Sequence, residues 1–417
     1  MKIACVGAGP AGLYFAVLAK QHNIASEITV YERNQEKSGY GWGVTFGPEL
    51  LQELYRNDPD SARDIDNAAF RWRDQFVDIR GERVTYDGGV DVYNLNRPRL
   101  VEILTAQARK LGVRMRFGEE ITSPAQLPEA DLIVAADGVS SRLRQAAGNF
   151  GTQISQSEDR YIWLGTDKPF RAFAYHFLET DHGWIWASSY GAEAGLSTFV
   201  VHCAEPTWAG LGFDTMPIPD CLEVLGDMFK EQLAGHRLMG QIDDPENARW
   251  QNFRTVTNER WHDGNVVLAG DAAHTTHFSS GLGSTLALED AIALAGNLGR
   301  HATGGQPGAL AEALAAYDRQ RQAEIAHGQR QAQLSGRWFS EISRYLDLEP
   351  RQFATLLHAR RSALVPVLPP RVYYQLHKAS RQTPVLRQLR PAAKAILGRR
   401  GPARPETAAA TTAPDGR

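Results

Sequence analysis

Two glycine-rich runs in this 417-residue chain place bare backbone where it could do chemistry. The first is Gly7-Ala8-Gly9-Pro10-Ala11-Gly12, between an apolar run and a stretch of helical spacing. In such a GxGxxG pattern the first glycine makes a tight turn and the second lets a pyrophosphate approach the backbone. The third permits close helix–strand packing. The helix N-terminus that follows offers free N–H groups and partial positive charge to an anion. Glu32 comes 20 residues after Gly12 at the end of the next apolar run, with Arg33 beside it. A carboxylate there would accept hydrogen bonds from ribose hydroxyls. This predicts dinucleotide binding and leaves FAD and NAD both open.

The second run is Gly270-Asp271-Ala272-Ala273-His274, followed by Gly281-Leu282-Gly283-Ser284-Thr285. A short carboxylate at the end of a buried strand, such as Asp271, can bind polyol hydroxyls. The glycine turn lets backbone come close to a planar ring. The helix start behind it would stabilise negative charge on that ring's edge. A third run, Asp137-Gly138-Val139-Ser140-Ser141-Arg142-Leu143-Arg144, follows another apolar segment.

The elements needed to position these runs are legible. Ile3–Val6 and Glu27–Tyr31 read as strands flanking a helix over Ala11–Lys20. Arg97–Leu111 reads as a helix leading into a strand over Val113–Phe117, and Leu132–Ala135 as a further buried strand. This alternation predicts an α/β doubly wound sheet. From about Tyr161 to Cys203 the period changes to two, with Phe173, Tyr175 and Phe177 on one face of a strand and Trp184 and Trp186 on one face of the next. An antiparallel sheet in a second lobe is expected there. Asn265–Ala269 returns as a buried strand, a helix follows over Gly283–Leu298, and a long helical stretch covers Ala309–Ile342.

In chain order these motifs resemble those of the single-component FAD-dependent aromatic hydroxylases. The 270–285 segment matches that family's GD signature and 137–144 its DG signature. Arg97, Leu100 and Leu104 fit the helix motif between. The resemblance implies a p-hydroxybenzoate hydroxylase-like fold: a Rossmann-like FAD lobe from 1–155 and 256–345, interleaved with a β-rich substrate lobe at 156–255. A helical extension over 346–397 and a disordered tail over 398–417 complete the expected organisation. The resemblance also implies FAD as cofactor, NADH or NADPH as reductant, O2 as co-substrate and a flavin C4a-hydroperoxide that attacks an aromatic ring. Gly7, Gly9, Ala11, Gly12, Glu32, Arg33, Arg97, Asp137, Asp271, Gly281, Gly283, Ser284 and Thr285 would then hold the cofactor. No second GxGxxG occurs, which argues against reductases with two dinucleotide domains and has the nicotinamide nucleotide bind only transiently.

Phe278 stands where many family members have Pro, and Thr285 where they have Asn. Together with Gly41-Trp42-Gly43-Val44, Trp163-Leu164-Gly165-Thr166, Phe353 and Arg360-Arg361, this is similar to the branch of salicylyl-CoA 5-hydroxylases. The hydroxylase of a tryptophan-derived ring in the violacein pathway is also similar. The implied partner is a small aromatic substrate, either a CoA- or carrier-linked thioester or a free indole or tryptophan-derived compound. A reductase or dehydrogenase without oxygen insertion and a non-catalytic FAD sensor remain as other functions.

His277 and Phe278 precede the glycine turn and are the candidates to border the substrate, whereas His274 inside the signature is read as structural. Trp184-Ile185-Trp186 resembles the WxW of flavin halogenases, but Ala187-Ser188-Ser189 follows, so it is read as a strand face. Histidine spacing fits no metal site. A net charge of −3 argues against an extended nucleic-acid surface. Cys5, Cys203 and Cys221 form no CxxC pair, so a reducing cytoplasmic setting is expected. No apolar run suits a membrane span, and a glycine turn interrupts the N-terminal apolar run, unlike a signal peptide. Arg351–Arg417 holds thirteen Lys or Arg against Glu406 and Asp415, read as a solvated face or tail, with attraction to a negative cofactor tail or carrier as the alternative.

Overall fold

A computed structural model describes residues 1–36, 41–192, 195–241, 244–301 and 308–382. The expected tail and the end of the expected extension lie outside the described residues. Lys2–Val6, Glu27–Glu32, Arg114–Phe117, Leu132–Ala135 and Val266–Leu268 form a parallel sheet, with His262–Asp263 added antiparallel at one edge. Lys2–Val6 lies at its centre, between Glu27–Glu32 and Leu132–Ala135. The register aligns Val6 with Tyr31 and Ala135, and Ala135 with Leu268. The strands therefore end together. The chain segments leaving them, at Gly7, Glu32, Ala136–Asp137 and Ala269–Asp271, line one edge of the sheet. Ligands of open α/β sheets bind at such carboxyl edges.

The helix Pro10–Gln21 is buried along its length from Pro10 to Ala19. It is apolar on nearly every side because it is sandwiched: the sheet lies on one side, Arg97–Lys110 and Gly283–His301 on the others. Pro10 occupies the first turn, where its missing N–H costs no hydrogen bond.

The second sheet has nine strands. Its main order is Leu238–Met239, Gln153–Thr166, Ser197–Cys203, Gly183–Gly191, Phe173–Thr180, Phe70–Ile79, Glu82–Asn96, Gly43–Phe46, with Gln251–Thr257 also paired to Gln153–Thr166. Pairing is antiparallel except where Gln75–Ile79 runs parallel to Phe173–Phe177. That parallel joint carries the hairpin Phe70–Asn96 into the second sheet, although these residues fall inside the 1–155 expected for the first lobe. The hairpin's alternation is diluted by Arg71, Arg73, Asp74 and Gln75, so its sheet membership depends on a partner about a hundred residues away.

Alternation splits the sheet's two faces between two cores. Ile162, Leu164, Ile185, Phe199 and Val201 pack with Cys221, Leu225 and Phe229 of the helical segment beyond. Tyr175, Phe177 and Trp186 face the other way, against Trp338, Phe339, Tyr345, Phe353 and Leu357. The 32-residue helix Ala309–Ser340 ties the sheets together: Tyr317 and Ile325 sit in the first core, Trp338 and Phe339 in the second. Its span is about 48 Å at 1.5 Å per residue. Trp184 and Trp186 are thus strand-face residues. The three cysteines are buried and unpaired. Among the described residues no helix is long and apolar enough to cross a membrane.

Candidate flavin site and the family it defines

Gly7 adopts φ +106°, and a Cβ there would collide with the Ala136 carbonyl; one at Gly12 would collide with the Gly7 carbonyl. These two glycines serve close packing. Gly9 differs: a Cβ there would meet nothing within 4 Å, so open space lies above the helix start. Gly9 is also the N-cap and supplies no capping side chain. The first-turn N–H groups are therefore free for an anion, and the cradle fits a pyrophosphate. The half-buried Glu32 carboxylate accepts from Ala8 N at 2.9 Å, from Asn34 N at 2.9 Å and from Asn34 Nδ2 at 2.8 Å. Two of its roughly four acceptor positions hold its own loop and a third holds the Gly7–Gly12 turn, which leaves about one for a ribose hydroxyl. Arg33 is exposed beside it.

Ala11 closes the distance between the two glycine runs, since a Cβ on Gly270 (φ +61°) would lie 3.0 Å from its methyl. Behind Gly270 is a buried ionic network that sequence reading did not single out. Asp290, fully buried, accepts from Gly270 N at 2.9 Å and bonds His274 Nε2 at 2.8 Å; its other oxygen accepts from Arg321 Nε at 2.7 Å. Arg321 also reaches Glu289 and Glu324. Desolvation pushes the Asp290 carboxyl up, but His274 and Arg321 outweigh it and hold the pKa below its ordinary value. Trp261 stacks on His274 at 4.8 Å. His274 is a structural member of this network.

Asp271, by contrast, is exposed to water yet lies deep among protein atoms, as a residue on a cleft floor does. Desolvation raises its pKa, and His274 and Arg97 pull the other way. The structure thus brings Arg97 near Asp271 from the start of the helix Arg97–Lys110.

The Asp137 carboxylate has a local task. It accepts from Ser141 Oγ at 2.5 Å, Arg142 N at 2.7 Å and Leu143 N at 3.3 Å, starting the short helix Arg142–Ala146. The reach toward the GD segment comes instead from Arg144, which donates to Val139 O and to Ala272 O, each at 2.8 Å. Asn258 donates to Ala272 O at 3.3 Å and Ala273 O at 2.5 Å. Gly138, at φ +84°, leaves open space in front of it.

Gly281 (φ +66°) ends a single 3-10 turn over Phe278–Ser280, and a Cβ there would meet Thr45 Oγ1 at 2.7 Å. Gly283, Ser284 and Thr285 then open the helix Gly283–His301, half-buried and with first-turn N–H groups directed out of the helix start. Phe278 sits amid rings: Tyr161 at 4.5 Å, His277 at 4.4 Å, His202 at 4.6 Å and Phe253 at 5.9 Å. His277 Nδ1 accepts from Ser279 N at 3.3 Å and bonds Ser279 Oγ at 2.8 Å, which assigns the ring proton to Nε2. Burial, and then Arg360, push the His277 pKa down to about 4. His202 is pushed to about 3 by burial and by His277, and its buried Nε2 has no partner. His202, Ser335 and Arg360 lie far along the chain from the glycine runs, and sequence reading gave none of them a place beside Phe278 and His277. Only the pairing of strands and the packing of the long helix bring them here.

An open helix start at Gly9, a carboxylate at a ribose distance in sequence, a second carboxylate on a cleft floor and a glycine turn fit FAD as a set. The profile of the family described as FAD binding domain matches residues 1–332. The chain is 36% identical over 365 residues to the salicyloyl-CoA 5-hydroxylase of a Streptomyces species, covering 85% of this chain and 68% of that protein. It is 34% identical to the 3-hydroxy-4-methyl-anthranilyl-[aryl-carrier protein] 5-monooxygenase of Streptosporangium sibiricum, covering 82% and 90%. It is 30% identical to the protodeoxyviolaceinate monooxygenase of Chromobacterium violaceum, covering 88% and 96%. The fold is that of 2-methyl-3-hydroxypyridine-5-carboxylic acid oxygenase: TM-score 0.67 at 20% identity, covering 82% of this chain and 91% of that one. The chain belongs to the FAD binding domain family and is a FAD-dependent aromatic-ring monooxygenase that uses NAD(P)H and O2.

Proposed function

We propose that the chain hydroxylates an aromatic ring presented as a thioester, on CoA or on a carrier, bound between the glycine turn and the aromatic face of the nine-stranded sheet. The observation that carries the ring site is the uncharged ring cluster of Tyr161, His202, Phe253 and His277 around Phe278, one turn before Gly281. The thioester is supported by two relatives, named for a salicyloyl-CoA and for an anthranilyl-carrier protein substrate.

Bound FAD supplies electron transfer from NAD(P)H and activation of O2. In this reading the free N–H groups after Gly9 hold the pyrophosphate, with Gly7 and Gly12 keeping the turn tight and Ala11 spacing it from Gly270. Glu32 takes the ribose, with Arg33 at the rim. Asp271 and Arg97 address the polyol, while Asp137 acts through the loop it organises. Gly281 and Gly283 admit the flat ring system, and the N–H groups of Gly283, Ser284 and Thr285 stabilise negative charge on its edge. Phe278 and its neighbours exclude water from the reacting face. Neutral His277 borders the substrate through its ring, with its Cδ2–Nε2 edge beside Gly336 of the long helix.

The test compares salicylyl-CoA, free salicylate and an indole substrate at equal concentration, following NAD(P)H oxidation and hydroxylated product. The thioester should stimulate coupled turnover far more than the free acid. Equal or better coupling with the free acid or the indole would remove the thioester and leave the monooxygenase.

A further inference from the structure

Arg360 and Arg361 lie beyond the residues matched by the family profile, yet both reach back to the loop that precedes the glycine turn. Arg361 donates to Ser280 O at 2.8 Å. Arg360 donates to Ser279 O at 3.2 Å, Tyr175 Oη at 3.1 Å, Ser335 Oγ at 2.9 Å and Leu357 O at 2.9 Å. Every one of these acceptors is neutral. Among the described residues neither guanidinium has a carboxylate partner, unlike the buried Arg321 with its three. Arg361 Nε is buried and donates to nothing. Burial and the neighbouring Arg360 lower the Arg361 pKa only to about 10, so it stays charged at neutral pH.

Two adjacent partly buried charges without a counter-charge are costly unless an anion joins them. Their position says which end of a ligand that anion occupies. Arg360 lies over the Tyr175 and Phe339 rings at 5.6 and 5.8 Å, on the aromatic face of the sheet. Tyr175 Oη accepts from Arg360, which leaves its own proton to donate. The phosphates of a CoA or carrier arm are many bonds from the ring they carry. A guanidinium bonded to the loop at the glycine turn therefore meets the ring end.

We propose that Arg361, backed by Arg360, is a specificity residue that binds an oxyanion carried on the aromatic ring itself, a phenolate or a carboxylate. The inference rests on the ring site proposed above. Arginine suits the task because it presents several donors to one planar oxyanion.

The experiment titrates wild-type holoprotein, Arg361→Met and Arg361→Lys with ring ligands, reading Kd from the change in flavin absorbance. Benzoate carries only a carboxylate, and the N-acetylcysteamine thioester of salicylate only the phenol. Benzamide and the 2-methoxy thioester are their uncharged counterparts. Arg361→Met should weaken one or both anions by about tenfold or more, leave the uncharged ligands within about twofold, and Arg361→Lys should keep most of the preference. The anion that loses affinity names the source of the charge. Equal losses for charged and uncharged ligands, or none, overturn the proposal. So does a shifted flavin potential with unchanged preference, which would assign the guanidinium to the cofactor. Should Arg361→Met fail to retain FAD, Arg361→Gln takes its place in the same comparison. If no ring ligand perturbs the wild-type flavin, the ring site itself is wrong and this inference falls with it.

Discussion

Glu32 and Asp271 are both carboxylates at strand ends, but their surroundings differ. Glu32 already accepts three hydrogen bonds, two from Asn34 in its own loop and one from Ala8 of the glycine turn, whereas Asp271 is exposed to water with its pKa raised by desolvation. Glu32→Ala should therefore both free the loop and remove a ribose acceptor, weakening FAD binding by about 1–3 kcal/mol. Asp271→Asn should change the flavin reduction potential as well as affinity. Fluorescence titration of apoprotein and spectroelectrochemistry check the pair. Wild-type values in both variants would move the site elsewhere. The two low-pKa histidines make a second residue-scale prediction. His202 and His277 have folded pKa values of about 3 and about 4, below the ordinary 6.5. Between about pH 6.5 and 4 the unfolded chain binds protons that the folded chain refuses, so stability falls as pH falls through that window. The melting temperature should drop from pH 7 to 5 in the wild type, and drop less in the His202→Asn/His277→Asn double variant.

At the scale of elements, the cofactor turn is held by a helix that no motif names. Arg321 of Ala309–Ser340 reaches Asp290 of Gly283–His301, and Asp290 holds Gly270 N. Asp290→Ala would leave Arg321 and His274 buried around a missing charge, which predicts about 3–5 kcal/mol of destabilisation with loss of FAD. Denaturant unfolding of the apoprotein measures the first part. A change under about 1 kcal/mol would mean the network is dispensable. The contrast with the glycine runs explains what could be read beforehand. Gly12 is fixed by the carbonyl of Gly7 five residues before it, and Gly7 and Gly281 by their own positive φ, and such local features are legible in a pattern. Asp290 looks like one acidic residue on an amphipathic helix. Its value depends on a partner 31 residues later. Asp137 shows the opposite case: its motif is legible, but its carboxylate caps a local helix while Arg144 makes the bridge to the GD segment.

Over the whole molecule, the α/β alternation, the strand ends that collect the motifs, the antiparallel second sheet and the long helix all follow from periodicity and turn residues. What periodicity does not carry is which strands join which sheet. Phe70–Asn96 pairs with Phe173–Thr180, a long-range choice made by packing of both faces. The same holds for the ring site, where Tyr161, His202, Phe253 and Phe278 meet from four separate segments, and for Arg360 and Arg361, which return from beyond the family-matched region. In the proposed account a shielded ring site sits beside a glycine turn that receives the flavin. The direct test of that account is turnover of an aryl thioester with NAD(P)H under ¹⁸O2, with mass spectrometry of the product. Incorporation of one ¹⁸O on the ring per coupled turnover is the predicted result. NAD(P)H consumption with an unlabelled or unmodified ring, across thioester, free acid and indole substrates, would contradict it.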